Sequence, residues 1–292
     1  MNPLKKRVLF IINPISGGNN KSGFLKKLNR HLDLNKFDAH CVFTEYKNHA
    51  YKVAKDHVAS SDIIVAVGGD GTVNEVASAL KDTDVLLGII PSGSGNGLAR
   101  TLNIPLDHKK AIERINTGRS LKIDCGELNG RSFFNMAGLG FDAHISALFD
   151  RGGKRGFFGY AKSIINEISS YKSKEYFLRI NDREYCKKAF MLSIANSSQY
   201  GNNAHVAPEA SVNDGLLDVC IIKPFSVWWF PVMIWHLFSK TANRSRYVEI
   251  IQGKDILIKR EQMAPVHLDG EPLYEGLQIN ILVKPLCLSI LV

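Results

Sequence analysis

An α/β plus β architecture, with an N-terminal doubly wound α/β domain and a C-terminal antiparallel β-sandwich, is expected of this 292-residue chain. Two observations lead there. The first ~120 residues alternate buried-looking apolar runs with helical patterns, as a parallel sheet with crossover helices requires. After Ile123 the runs shorten and are separated by Gly, Asn and Asp, the pattern of antiparallel structure.

In chain order, the N-terminal strands are expected at VLFII (8–12), AHCVF (39–43), DIIVAV (62–67) and VLLGII (85–90). Phe24, Leu25, Leu28 and Leu32 share one helical face between the first two, and Val53, Ala54, His57 and Val58 do so before the third. The second half offers LKIDCGEL, SFFNMAGLGF, EYFLRIN, FMLSIAN, LLDVCII, YVEIIQG, DILIK and LQINILV as strands, with a helical insertion around 158–171. The closing run LCLSILV (286–292) reads as a strand returning to the first domain. Residues 1–122 with 284–292 are thus expected to form the α/β domain, and 123–283 the β-rich one.

Lysine and arginine outnumber aspartate and glutamate by 37 to 28, a net charge of +9, which favours an anionic partner: nucleotide, nucleic acid or membrane surface. No aromatic and basic interleaving of a nucleic-acid module accompanies the charge, so nucleic acid is not expected as a partner. Five scattered cysteines without a C-x-x-C point to neither a disulfide framework nor a zinc site, and fit a reduced, cytoplasmic protein. The apolar run near the N-terminus is too short for a signal peptide. The segment PFSVWWFPVMIWHLF (224–238) is shorter than the ~20 residues that cross a bilayer and contains Pro231.

Three expected strands end in small and polar residues: INPISGG (12–18), VGGDGT (67–72) and IPSGSGNG (90–97). Glycines let a backbone pass close to a ligand, and a helix starting near Thr72 aims N–H groups at the same place, which suits phosphate. The carboxyl edge of an open α/β sheet is where ligands bind. Asp70 beside phosphates calls for a magnesium ion between them, or it is the N-cap of a tight strand-to-helix turn.

These segments, with IDCGELN (123–129), FNMAGLGFDA (134–143), NDGLLDV (213–219) and HLDGE (267–271), resemble the diacylglycerol kinase catalytic-domain superfamily, which includes bacterial lipid kinases, sphingosine kinases and ceramide kinases. They occur in order over nearly the whole chain. The resemblance implies ATP and Mg2+ as cofactors and a lipid hydroxyl as acceptor, diacylglycerol or a related lipid. It places Asn13, Ser16 and Gly17 at the nucleotide, Gly68, Gly69, Gly71 and Thr72 around its phosphates, and Ser92, Gly93 and Asn96 completing that site. Asp70 stands near the catalytic ion, with Glu75 behind it or simply favoured by its helix dipole. Asp269 is the candidate general base and Glu271 its support; Asp214 and Asp218 are candidate metal ligands. Asp124 belongs to a polar network, and Asp142 lies where sphingosine kinases meet a lipid head group.

One departure concerns Gly97, which stands where bacterial diacylglycerol kinases often carry an acidic residue; the GSGN form is closer to the sphingosine and ceramide branches. NAD kinase, which shares GGDGT, and a non-catalytic lipid-binding protein are the competing classes. A lipid acceptor implies peripheral contact with the inner face of a membrane. Arg151, Lys154, Arg155 and Lys162 around Phe157, Phe158 and Tyr160 could dock there, as could residues 226–240, whose Trp228, Trp229 and Trp235 could equally be core or homodimer contacts.

Overall fold

The computed structural model describes residues 5–17, 21–152 and 167–292. The basic cluster at 151–162 and most of the expected helical insertion lie outside the described side chains. The chain divides into two compact units, residues 1–123 with 286–292, and residues 124–285.

In the first unit, β1 (Lys6–Ile12), β2 (Phe37–Phe43), β3 (Ile63–Gly68) and β4 (Leu86–Pro91) pair in parallel in the order β2-β1-β3-β4. Ile290 continues the sheet by pairing in parallel with Leu87 of β4. Helices α1 (Lys21–His31), α2 (His49–His57), α3 (Asp70–Leu80), the short α4 (Gly97–Thr101) and α5 (His108–Thr117) connect or flank these strands. Strand residues alternate between faces. Val8, Phe10, Ile12, Ile63, Val65 and Val67 accordingly share one core with Phe24, Leu28 and Leu32 of the α1 region and Ala111, Ile112 and Ile115 of α5. The intervening residues Leu9, Ile11, Ile64 and Ala66 are buried too, which is why β1 and β3 read as unbroken apolar runs.

The second unit is antiparallel. One sheet contains β8 (Lys174–Ile180), β9 (Arg183–Ala189), β13 (Asp255–Lys259) and the first part of β16 (Gln278–Leu291). β5 (Ser120–Leu128) pairs with β6 (Arg131–Phe133). The other sheet runs β12 (Val248–Gly253), β11 (Leu217–Ile222), β10 (Met191–Ala195), β7 (Met136–Gly140), β14 (Ala264–Leu268), β15 (Glu271–Glu275). Leu178, Ile180, Ile256, Ile258, Ile279 and Ile281 from the first sheet and Leu139, Leu192, Ile194, Val219, Ile221 and Val266 from the second share one core, which makes the pair a sandwich. Helix α6 (Phe141–Gly152) follows β7, and α7 (Phe230–Phe238) follows β11.

The last two expected strands are a single one. LQINILV and LCLSILV form β16 without interruption, the chain passing Lys284 and Pro285 and reaching Leu286 at φ 49°. Among the described residues, no helix is long and apolar enough to cross a membrane.

Candidate functional site

The three loops after β1, β3 and β4 interlock. Asn13 donates its backbone N–H to the Val67 carbonyl at 3.0 Å and its side-chain amide to Thr72 Oγ1 at 3.1 Å, tying the first loop to the start of α3. Ser16 Oγ donates to the Asn13 carbonyl at 3.0 Å, and Gly17 turns at φ 64° so close to Ser92 that a Cβ would lie 2.5 Å from its carbonyl oxygen. Ser92 donates its N–H to the Gly68 carbonyl at 2.7 Å. A Cβ on Gly93 would lie 2.6 Å from Gly69 Cα, so two backbones cross where only glycine fits.

Asp70 is the first residue of α3, and its carboxylate bridges to the third loop. Oδ2 accepts the Asn96 N–H and Oδ1 the Gly97 N–H, each at 2.8 Å. Asn96 sits at φ 53° and closes its own turn, accepting the Gly93 N–H and donating to the Gly93 carbonyl. The first α-helical bond of α3 runs from Val73 to Gly69, so the N–H groups of Gly71 and Thr72 precede the ladder and sit at the positive end of the helix dipole. That edge can hold phosphate. A cavity of about 420 Å³ in the same unit opens instead beside Lys6, Phe37, Ile63 and Leu86, at the amino-terminal starts of the strands, and belongs to a different part of the fold.

Glu75 takes a role the motif did not suggest. Its carboxylate accepts the N–H groups of Asn48 at 2.9 Å and Ala50 at 3.0 Å, and so caps α2, whose own N-cap Asn48 makes no side-chain cap bond. This carboxylate thus ties α3 to the start of α2 within the first unit.

In the second unit, HLDGE forms the hairpin between β14 and β15, with Leu268 opposite Glu271. Asp269 at φ 48° and Gly270 at φ 89° make the two-residue turn that favours Asp-Gly. The buried Asp269 carboxylate accepts three backbone N–H groups, from Phe134 at 3.0 Å, Asn135 at 2.8 Å and Met136 at 2.9 Å. Glu271 is exposed at the start of β15.

Asp124 is fully buried; its Oδ2 accepts the Gly215 N–H at 2.7 Å and its own N–H donates to Val212 at 2.7 Å, so it clamps the NDGLLD loop from both sides. Asp214 is exposed and caps the Leu216 N–H at 3.0 Å. Asp218 is buried, bonded at 3.3 Å by Gln252, and pushed up to about 6 by burial first and then by the charges of Asp214 and Glu209. An oxygen-only donor set with repelling carboxylates suits a hard divalent cation. Among the described residues no three acidic, His or Cys side chains converge, so backbone carbonyls and water would complete such a shell.

Asp142 is buried at the start of α6, accepting from the Tyr200 hydroxyl at 2.8 Å and facing His267 Nε2 at 3.1 Å, while Tyr200 also meets Ser193. The sequence reading passed over His267, Tyr200, Asn135, Asn196 and Ser197, and His108, whose Nε2 lies 2.9 Å from Ser92 Oγ. Asn196 donates to the carbonyls of Asp124 and Phe134, and its own Oδ1 is a buried acceptor without a partner among the described residues. The run IANSSQY (194–200), polar residues gathered at a strand end, carries the same signal as the three N-terminal loops.

An open parallel sheet with a phosphate-type crevice at its carboxyl edge, followed in one chain by an antiparallel sandwich, is the build of a diacylglycerol kinase-like protein. The diacylglycerol kinase catalytic domain matches residues 7–128, and the YegS C-terminal NAD kinase beta sandwich-like domain matches residues 135–292. A probable lipid kinase YegS-like of Chromohalobacter salexigens is 30% identical over 233 residues, 77% of this chain and 75% of that one. A protein of the same name from Yersinia pestis strain Pestoides F is 30% identical over 229 residues, covering 76% of each. In fold, a solved diacylglycerol kinase from Bacillus anthracis strain Sterne matches with a TM-score of 0.74 at 22% identity, over 98% of this chain and 96% of that one. The chain belongs to the diacylglycerol kinase catalytic-domain superfamily, with a YegS-type C-terminal domain, and so to the lipid kinases.

Proposed function

We infer that the protein transfers the γ-phosphoryl group of ATP to a lipid hydroxyl, with diacylglycerol or a related glycerolipid as the acceptor class. The observation that carries this reading is the bridge from Asp70 to the N–H groups of Asn96 and Gly97, which locks the loop after β3 to the loop after β4. In this reading the first unit holds the nucleotide: the α3 N–H groups bind phosphate oxygens, and Asn13, Ser16, Gly17, Ser92, Gly93 and Asn96 shape the crevice around them. The two N–H bonds hold the Asp70 carboxylate at the phosphate edge, where in this reading it stands beside a nucleotide-associated ion. Magnesium, when bound, neutralises charge on the transferring phosphoryl oxygens. Asp214 and Asp218 would hold a second, structural ion in the clamped NDGLLD loop.

Phosphoryl transfer to an alcohol also needs a carboxylate to accept the hydroxyl proton. Asp269 is that acceptor, its three backbone bonds fixing its aim, and fixed aim is worth much of the rate in a positioned reaction. A second reading makes Glu271 the acceptor and Asp269 its anchor, because three of the roughly four lone-pair positions of the Asp269 carboxylate are committed to backbone.

The experiment is transfer of labelled phosphate from ATP with magnesium to micelles containing in turn diacylglycerol, a sphingoid base, ceramide or monoacylglycerol, with NAD as a soluble control. Label in diacylglycerol is the expected result. Label in a sphingoid base or ceramide would follow the GSGN resemblance instead, and label in NAD alone would overturn the lipid reading.

A further inference from the structure

From Lys223 to Tyr247 the chain contains no aspartate or glutamate, but carries Lys223, Lys240, Arg244 and Arg246 together with all three tryptophans of the protein. A 3-10 turn over Val227–Trp229 leads into α7. Met233 is buried, and Phe230 and Leu237 pack beside it on the core below, at helical spacing. The opposite face is also apolar. Trp228 is 90% exposed and Trp235 61%, and Val232 and Phe238 lie exposed in the same stripe. Arg246 lays its guanidinium over the Trp229 ring at 5.1 Å and over Tyr247 at 4.8 Å, at the border of this face.

The core alternative for Trp228 and Trp235 is therefore set aside, and a contiguous exposed apolar face rimmed by charge marks a partner. Charge decides which one. Glu249 pairs with Lys223 at 3.1 Å and Glu209 accepts from Asn243 at 2.7 Å, so the net positive charge of the rim comes from Lys240, Arg244 and Arg246. That charge complements an anionic headgroup layer, whereas a two-fold contact with a second copy would set the same cations against themselves. A nine-residue helix cannot span a bilayer and would lie in its surface plane, where tryptophan is favoured.

We propose that α7 and the turn before it dock the protein on an anionic lipid bilayer, with Trp228, Val232, Trp235 and Phe238 inserted at headgroup depth and Lys240, Arg244 and Arg246 against the lipid phosphates. The choice of a lipid partner leans on the lipid-kinase reading, but the surface is tested without turnover. The chain has no tryptophan outside this segment, so its intrinsic fluorescence reports on the docking face alone.

The full chain is mixed with vesicles of phosphatidylglycerol and phosphatidylcholine lacking any acceptor lipid. The expected result is a blue-shifted emission, quenched by brominated acyl chains, with binding weakened at least tenfold in the Trp228→Ser, Trp235→Ser double variant. Lys240→Gln and Arg244→Gln should each weaken it about fivefold. Flotation unchanged by the serine pair overturns the proposal. So does equal binding to pure phosphatidylcholine, or a blue shift that grows with protein concentration without vesicles and tracks a dimer in sedimentation. Docking with no lipid phosphorylated would overturn the kinase reading and leave this one standing. Turnover on micelles without vesicle binding would do the reverse.

Discussion

Asp269 and Met136 are bonded to each other twice: the Asp269 N–H donates to the Met136 carbonyl at 2.9 Å, and the Met136 N–H donates to Asp269 Oδ1 at 2.9 Å. The candidate proton acceptor is thus also what holds the entrance to β7. Asp269→Ala leaves three buried N–H groups without their acceptor, at roughly 3 kcal/mol or more in total, and thermal unfolding should report the loss. The catalytic role is separable. Asp269→Ala held folded at low temperature should show no transfer, while Glu271→Gln keeps its melting temperature and loses less than about tenfold in kcat. A drop of a hundredfold or more for Glu271→Gln, at the scale of a lost general base, would move the proton acceptor to Glu271.

Gly93 tests the nucleotide crevice. A methyl group there would sit 2.6 Å from Gly69 Cα, and backbone cannot yield as a flexible side chain would. Gly93→Ala should push the second and third loops apart at the phosphate position, raising the KM for ATP at least tenfold with a smaller change in apparent lipid affinity. Isothermal titration with a non-hydrolysable ATP analogue checks it. Unchanged affinity would mean that phosphate does not lie between these loops.

Much of this was legible in the sequence for physical reasons. Strands such as VLFII and DIIVAV, buried on both faces, have no competing pattern, and the glycines at 17 and 93 stand where backbones approach too closely for a Cβ. Glu75 was not legible. Its partners are N–H groups 25 and 27 residues upstream, and no local pattern reveals that one helix caps another. The tryptophans stayed undecided for the opposite reason: helical spacing shows a stripe, but α7 carries apolar residues on both its inner and outer faces, and a sequence does not say which is covered. His267 and Tyr200 were missed because they meet Asp142 from residues 125 and 58 positions away.

Glu75 gives the sharpest separation between motif and structure. As the cap of α2, its loss should cost about 1 kcal/mol of stability, so Glu75→Ala should melt a few degrees lower with kcat within a few-fold of the parent. Magnesium titration of activity is the deciding measurement. A Glu75→Ala protein that needs far more magnesium would return this carboxylate to the ion beside Asp70.

Asp124 makes the contrasting prediction. Its carboxylate holds Gly215 and its backbone holds Val212, so it fixes the NDGLLD loop although it is fully buried and remote from solvent. Asp124→Ala removes that clamp and leaves the Gly215 N–H without its acceptor, a loss of about 1–3 kcal/mol. If the loop holds a structural ion through Asp214 and Asp218, the loosened loop should bind it several-fold more weakly. The magnesium concentration for half-maximal thermal stabilisation should then rise, and Asp214→Asn should reproduce that rise without the loss of stability seen in ion-free buffer. Chelator treatment of the parent protein should lower its melting temperature towards that of Asp214→Asn. A parent protein whose melting temperature ignores both chelator and added magnesium would leave Asp124 as a loop clamp and remove the ion from this loop.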